Sequence, residues 1–349
     1  MNQDFMKTKP IFPLVLSMSL PMMLSMLINS LYNIIDSMFV ARIGEDALTA
    51  VSLVYPLQTL VVSISVGFGV GINAAVAFFL GAGAKENADR SAAQGLLLSL
   101  LHGALLSVGG FLCIPYFLPL FTSDARILDW GMEYAYIVLS FSMVITVQIA
   151  FEKIYQAVGN MLVPMVCMAA GCITNIILDP VFIFGLGPIP RLEVKGAAIA
   201  TVIGQVVTLI LYLIWYFCKD MGLSLGRRNM KLTGEICGKL YTVGVPCSLT
   251  MGLPSLLITV LNGFAAAFSP VYILILGVYF KLQSFIYLPA NGIVQGMRPI
   301  LSYNYGAGEK KRMRRIIQIC SVMILVIMAA GMLLFLLAPG IIMKLFTAD

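Results

Sequence analysis

Two aspartates, Asp36 and Asp179, stand inside long apolar stretches of this chain. A carboxylate inside a membrane-spanning segment costs several kcal/mol, so its presence there usually reflects a function. Asn175 precedes Asp179 by four residues, and on a helix the two side chains would share one face, one turn apart. Because a desolvated carboxyl group favours its neutral form, residues of this kind are suited to bind and release a proton or a cation.

Two further polar residues are expected at the same depth. Asp36 and Asp179 fall near the ends of stretches that would run outward through a membrane, whereas Tyr134 and Thr201 follow the starts of stretches that would run back. The alternative is that these side chains only reach water at the outer interface, where tyrosine is common. We predict a proton- or cation-coupling cluster in the outer half of one bundle, formed by Asp36, Tyr134, Asn175, Asp179 and Thr201.

The stretches that carry these residues are membrane-spanning by composition. Sixty per cent of the residues are hydrophobic, 11% are charged, and the mean hydropathy of +0.96 excludes a soluble domain. A spanning helix needs about 20 apolar residues, and the runs lack the strict alternation typical of a barrel. We predict an all-α polytopic membrane protein with nine spans, at 11–40, 47–80, 91–119, 131–156, 161–184, 195–218, 236–267, 271–302 and 314–343.

The placement of lysine and arginine predicts the orientation of these spans. With the N-terminus inside, most of the 22 basic residues lie in cytoplasmic segments, as the positive-inside rule requires. The formal net charge of +6 follows from this bias, and no basic patch interleaved with aromatic residues indicates nucleic acid. We expect a multi-pass monomer of the inner (cytoplasmic) membrane, surrounded by the lipid bilayer.

The second part of the chain repeats the first at an offset of 225 residues, which carries Pro21 onto Pro246. The same offset superposes two basic segments, LGAGAKENADR (80–90) and YGAGEKKRMRR (305–315). A single offset without an insertion indicates a duplicated unit, as in many secondary transporters. Also one offset apart are Gly67 and Gly292, Gly71 and Gly296, Gly81 and Gly306, and the segments LFTSD (120–124) and LFTAD (345–349).

The repeat predicts the organisation of the chain. Six spans precede the charged segment at 219–235, so both copies would cross the membrane in the same direction and form a parallel repeat. We predict an N-lobe of six spans at 1–218, a cytoplasmic linker at 219–235, and a partial C-lobe of three spans at 236–349. A complete pair of six-helix lobes would have twelve spans, so we expect the second lobe to be incomplete and the chain to be truncated at its C-terminus.

Several other residues could serve the same machinery. Pro21 and Pro180 lack a backbone N–H, which makes each a candidate helix-bending point. Lys281 could face a central cavity as a counter-charge to the aspartates or to an anionic substrate, or it could snorkel to the outer interface. Glu152 and Lys153, at a cytoplasmic helix end, are interpreted as a solvated local pair.

Other chemistries find little support. The seven cysteines include no CxxC and no Cys/His cluster, so neither a metal site nor a redox pair is predicted. The single histidine, His102, is interpreted as a hydrogen-bonded core residue. No HExxH and no nucleotide-binding motif occurs, so we expect neither an enzyme nor transport driven by ATP hydrolysis, and no cofactor besides a coupling ion, H⁺ or Na⁺.

Five segments resemble the multidrug and toxic compound extrusion (MATE) transporters, nearest to their bacterial DNA-damage-inducible F-like branch. They are YNIIDSMFVARIG (32–44), NIILDPVFIFGLG (175–187), KGAAIATVIGQ (195–205), FKLQSF (280–285) and YNYGAG (303–308). The resemblance covers essentially the whole chain. It implies two six-helix lobes and cation-driven export of amphipathic, often cationic drugs by alternating access.

The resemblance also implies roles for particular residues. It assigns the coupling site to Asp36, Asn175, Asp179, Tyr134 and Thr201, and bending of the first helix to Pro21. No acid lies within the seventh span, which favours this site over one in the C-lobe. Sodium would need several oxygen ligands, which could come from Asp36, Asn175, Asp179 and Thr201.

Three functions are therefore weighed. The first is a secondary active multidrug exporter driven by proton or sodium antiport, with small drug-like substrates. The second is a flippase for an amphipathic lipid or glycolipid, which should place several basic residues in its cavity, where only Lys281 qualifies here. The third is a truncated fragment that does not transport.

Overall fold

The computed structural model describes residues 3–268 and 270–337, without a set of side chains between residues 255 and 285. All regular structure in these residues is helical, which confirms the predicted all-α class. The helices are α1 (Phe5–Thr8), α2 (Ile11–Ala41), α3 (Glu45–Gly81), α4 (Lys85–Phe117), α5 (Ala125–Ser140), α6 (Ser142–Ala157), α7 (Leu162–Phe184), α8 (Glu193–Cys218), α9 (Gly234–Phe268), α10 (Pro270–Gly306) and α11 (Lys310–Leu337).

The helices follow the predicted spans. Within the described residues, α2, α3, α4, α7, α8 and α11 are each long and apolar enough to cross a membrane, and α5 with α6 forms a seventh candidate. The predicted spans at 236–267 and 271–302 coincide with α9 and α10, in which some side chains between residues 255 and 285 lie outside the described part. The end of the span predicted at 314–343, and the LFTAD segment, lie outside the described residues.

The span predicted at 131–156 is occupied by two helices, α5 and α6, and their crossing the membrane as one broken span stays a prediction. They meet at Phe141 and are bent by 45°. At the break, the carbonyl oxygen of Leu139 accepts from the backbone N–H of Phe141 and from the hydroxyl of Ser142, the latter at 2.7 Å. Hydropathy is unbroken across the serines, so the composition of the stretch conceals the bend.

Glycines of the repeat bring the two parts of the chain into close contact. A Cβ at Gly67 on α3 would overlap Ser248 on α9, and a Cβ at Gly292 on α10 would overlap Met23 on α2. Gly67 and Gly292 are 225 residues apart, and so are Met23 and Ser248, the residues that they contact. We call the surface where α2 and α3 pack against α9 and α10 the lobe interface; its two sides are copies of one packing contact.

A further pair of repeated glycines closes the lobe interface at one end. A Cβ at Gly81 would overlap the carbonyl oxygen of Tyr303, and a Cβ at Gly306 would overlap that of Phe78. This end carries the loop between α3 and α4 and the loop between α10 and α11, whose basic residues make it the basic end. The backbones of α3 and α10 can approach this closely only because no side chain lies between them.

We expect Gly81→Ala and Gly306→Ala each to destabilise the protein by about 1–3 kcal/mol, because the added methyl group meets backbone that cannot move aside. Gly109→Ala on α4 is the matched control, since its Cβ would meet nothing within 4 Å. Thermal unfolding of the detergent-solubilised variants measures the difference. Equal tolerance of alanine at Gly81 and Gly109 would contradict the close packing.

The linker at 219–235 packs against α4. The Asp89 carboxylate accepts from the backbone N–H of Ser224 at 2.9 Å, and Gln94 Nε2 donates to the carbonyl oxygen of Lys231 at 2.8 Å. The linker is therefore an ordered connection held by side chains of the first six spans. The borders of the two lobes, 1–218 and 236–349, stay a prediction.

Candidate functional site

The carboxyl groups of Asp36 on α2 and Asp179 on α7 adjoin each other. Asp179 is fully buried, and Asp36 is partly exposed. Asp36 Oδ1 and both carboxylate oxygens of Asp179 lack a hydrogen-bond donor among the described residues. Two anionic carboxylates cannot bond to each other, but they can when a proton or a cation lies between them.

Asn175, one helical turn before Asp179 on α7, meets Thr201 because α7 and α8 pack tightly. A Cβ at Gly204 on α8 would lie 2.8 Å from the carbonyl oxygen of Gly171 on α7 and 3.2 Å from Cβ of Asn175. The close approach lets Asn175 Nδ2 donate to Thr201 Oγ1 at 3.4 Å. Both residues are buried, and Asn175 Oδ1 is left without a donor among the described residues.

Tyr134 joins the cluster from α5. Its side chain is buried, so the alternative of a tyrosine at the outer interface does not apply. Its hydroxyl oxygen accepts from Gln58 Nε2 on α3 at 3.4 Å and also adjoins the Thr201 hydroxyl. The five predicted residues are thus brought together by α2, α5, α7 and α8.

Sequence reasoning missed two members of the cluster, Tyr32 and Gln58. Tyr32 stands four residues before Asp36 on α2, and its hydroxyl adjoins Thr201. The signal was available, because the same i, i+4 spacing had been used to associate Asn175 with Asp179. Gln58 carried no local signal, since only the packing of α3 against α5 brings it to Tyr134.

The cluster contains more acceptors than donors. Four oxygen atoms are buried and have no donor among the described residues: Asp36 Oδ1, Asn175 Oδ1 and both carboxylate oxygens of Asp179. Leaving one buried acceptor unpaired costs about 1–3 kcal/mol, so a cluster of four is suited to a species that supplies positive charge. A proton shared by the carboxyl groups, or a sodium ion held by carboxylate, amide and hydroxyl oxygens, would each meet this requirement.

A pocket of about 200 Å³ gives access to Asp36 from the side of α3. It contains the polar side chains of Ser37, Ser52 and Tyr55 together with apolar ones. Asp36 therefore contacts both this pocket and the buried Asp179. The remaining lining residues are Val40, Leu48 and Val51.

The other candidate residues have mixed outcomes. Pro21 and Pro180 lie inside α2 and α7, which continue past them, so their role in bending stays a prediction. Lys281 lies on α10, but its side chain is outside the described residues. His102 is partly buried and its Nε2 lies 2.8 Å from the hydroxyl of Tyr241 on α9, so it makes the hydrogen bond that we predicted.

The interpretation of Glu152 and Lys153 as a solvated pair is wrong. Lys153 is 3% exposed and Glu152 is 8% exposed, and Lys153 Nζ donates to Glu152 Oε1 at 2.7 Å. Burial comes from α2, α3 and α10, which close over this side of α6. The pair is therefore part of the protein interior.

A duplicated bundle of membrane-spanning helices with a buried carboxyl pair has the architecture of a secondary transporter. The family model MatE matches residues 21–181 and 246–349 of this chain, two segments that begin 225 residues apart, as the repeat does. The chain therefore belongs to the MatE family of transporters.

Two curated relatives and one solved structure are similar to this chain. The multidrug export protein MepA of Staphylococcus haemolyticus is 27% identical over 99% of this chain and 75% of its own length. The FAD transporter of Shewanella oneidensis is 26% identical over 88% of this chain and 68% of its own length. An outward-facing conformation of a multidrug resistance MATE family transporter superposes with a TM-score of 0.90, at 25% identity, over 100% of this chain and 76% of that chain.

Proposed function

We propose that this protein exports amphipathic, cationic drugs across the cell membrane in exchange for protons or sodium ions. Membership of the MatE family supports transport, and the similarity to MepA supports multidrug export. The exchange mechanism rests on the cluster around Asp36 and Asp179.

The observation that carries the proposal is the pair of adjoining carboxyl groups without a donor. Asp36 contacts the pocket and Asp179 is buried, so an ion that enters the pocket can reach Asp36 and bridge it to Asp179. Binding a proton or Na⁺ removes the repulsion between the carboxylates and lets α2 and α7 pack more closely. The ion would then bind the closely packed arrangement of α2 and α7 more tightly than the separated one. Such a difference in affinity allows an ion to shift the equilibrium between two states.

The lobe interface supports alternating access. The contacts through Gly67, Gly81, Gly292 and Gly306 lie in the half of the protein nearest the basic end. The positive-inside rule makes this end cytoplasmic, so these contacts would close the inner side. Similarity to an outward-facing MATE transporter agrees with this assignment.

Efflux of ethidium from cells or liposomes that contain the protein tests the proposal. We expect efflux to accelerate when an inward gradient of protons or of sodium is imposed, and the effective gradient identifies the ion. Efflux that is independent of both gradients would contradict the exchange mechanism. FAD is measured in parallel because the Shewanella relative is a FAD transporter; transport of FAD without ethidium would contradict the drug substrate.

A further inference from the structure

The buried charges of Glu152 and Lys153 on α6 lie beside the lobe interface and are not part of the Asp36 cluster. Both residues are on α6, within the first six spans, and the ammonium group of Lys153 contacts Gln295 on α10. This contact joins the two copies of the repeat through a charged group rather than through apolar packing.

The hydrogen bonds of Lys153 are complete only when α10 is in place. The ammonium group has three donor hydrogens. It donates to Glu152 Oε1 at 2.7 Å, to Gln156 Oε1 at 3.2 Å and to Gln295 Oε1 at 3.2 Å. Two of these acceptors belong to α6 itself, and the third is supplied by α10.

Side chains of α2 and α3 contact the backbone of Lys153 and the two glutamines that accept from its ammonium group. Asn73 Nδ2 on α3 donates to the carbonyl oxygen of Lys153 at 3.1 Å. On α2, Met22 Sδ accepts from Gln156 Nε2 at 3.2 Å, and Met26 Sδ accepts from Gln295 Nε2 at 3.5 Å. The network therefore includes the helix that carries both Pro21 and Asp36.

We propose that Lys153 and Gln295 are positioning residues that hold the lobe interface closed on the inner side and so favour the outward-facing state. The proposal rests on the alternating access proposed above. Separation of α10 from α6 removes one acceptor from a buried ammonium group, and water must enter to replace it. A hydrogen bond to a charged group contributes enough for its loss to change the ratio of the two states by about 10- to 100-fold.

The test measures the distance between spin labels at the basic end. Labels replace Glu86 on α4 and Lys311 on α11, both exposed, in a variant without the seven native cysteines. Gln295→Met keeps the length of the side chain and replaces the amide oxygen by a thioether, a much weaker acceptor for an ammonium group. We expect the ratio of separated to closed populations to rise about 10-fold or more. Gln318→Met on α11 is the matched control, because Gln318 is exposed to the surroundings.

A second background isolates the bond to Lys153. In the double variant Glu152→Gln/Lys153→Met, the charged group is absent, so Gln295→Met should leave the distance distribution unchanged. A shift of equal size in both backgrounds would overturn the proposal, because the glutamine would then act through its other contacts. No shift in either background would overturn it as well. Ethidium efflux by the wild-type protein is measured separately, so a failure of the proposed function is distinguishable from a failure of this contact.

Discussion

Asp179→Asn is expected to abolish gradient-driven efflux and at the same time to stabilise the fold. The amide keeps the size of the carboxyl group but cannot take up a proton or hold a cation by charge. Its N–H can donate to Asp36, so a buried acceptor without a donor gains one, which is worth about 1–3 kcal/mol. Ethidium efflux and thermal unfolding, measured on the same preparation, give the two effects together.

Asp36→Asn should lose gradient-driven efflux in the same way, with a smaller gain in stability because Asp36 is partly exposed. The matched control is Asp46→Asn, an exposed aspartate at the start of α3 whose nearest cation, Arg126, lies 3.7 Å away. An exposed ion pair contributes about 0–1 kcal/mol, so this variant should behave like the wild type. Gradient-driven efflux that survives in both Asp36→Asn and Asp179→Asn would exclude the coupling site.

The second large effect is expected at Lys153. Replacement by methionine leaves Glu152 buried without its cation, and breaking a buried ion pair in this way costs about 3–5 kcal/mol. We therefore expect Lys153→Met to lower the yield of folded protein and its unfolding temperature more than any other single variant described above.

The double variant Glu152→Gln/Lys153→Met distinguishes charge from shape. Removing both charges should recover most of the lost stability, because a buried pair is often no more stable than neutral side chains of similar size. The coupling between the two substitutions is read from the thermodynamic cycle. A double variant as unstable as Lys153→Met alone would mean that the lysine acts through packing of its stem, which lies 2.8 Å from the Cβ position of Gly69.

Much of the architecture could be predicted from the sequence, because a lipid environment makes length and composition decisive. Hydrophobic runs define where each helix lies along the chain. The direction in which a run crosses the membrane, together with the position of a residue in that run, defines the depth of the residue in the membrane. Depth was enough to associate Asp36, Tyr134, Asn175, Asp179 and Thr201 before any contact was known. The repeat offset also marked the glycines at which the helices approach most closely.

Depth does not define which way a side chain points around its helix. Glu152 and Lys153 are neighbours near a helix end, where solvent is the usual surroundings, and their burial depends on Gln295, a residue of the second copy. The bend at Phe141 is hidden for a related reason, since a break between apolar residues leaves hydropathy unchanged. Such features depend on contacts between distant segments rather than on local pattern.

The lobe interface has the symmetry of an isologous dimer. The contact of Gly67 with Ser248 and that of Gly292 with Met23 are exchanged by one pseudo-twofold operation, as two identical subunits would exchange them. A change in an ancestral half-length subunit would have altered both sides at once, whereas a fused chain can vary each side alone. Gln295 is an example of such variation, because its counterpart in the first copy is Val70, whose apolar side chain cannot accept a hydrogen bond. The two sides of an interface that was once symmetric can therefore differ in the free energy needed to separate them.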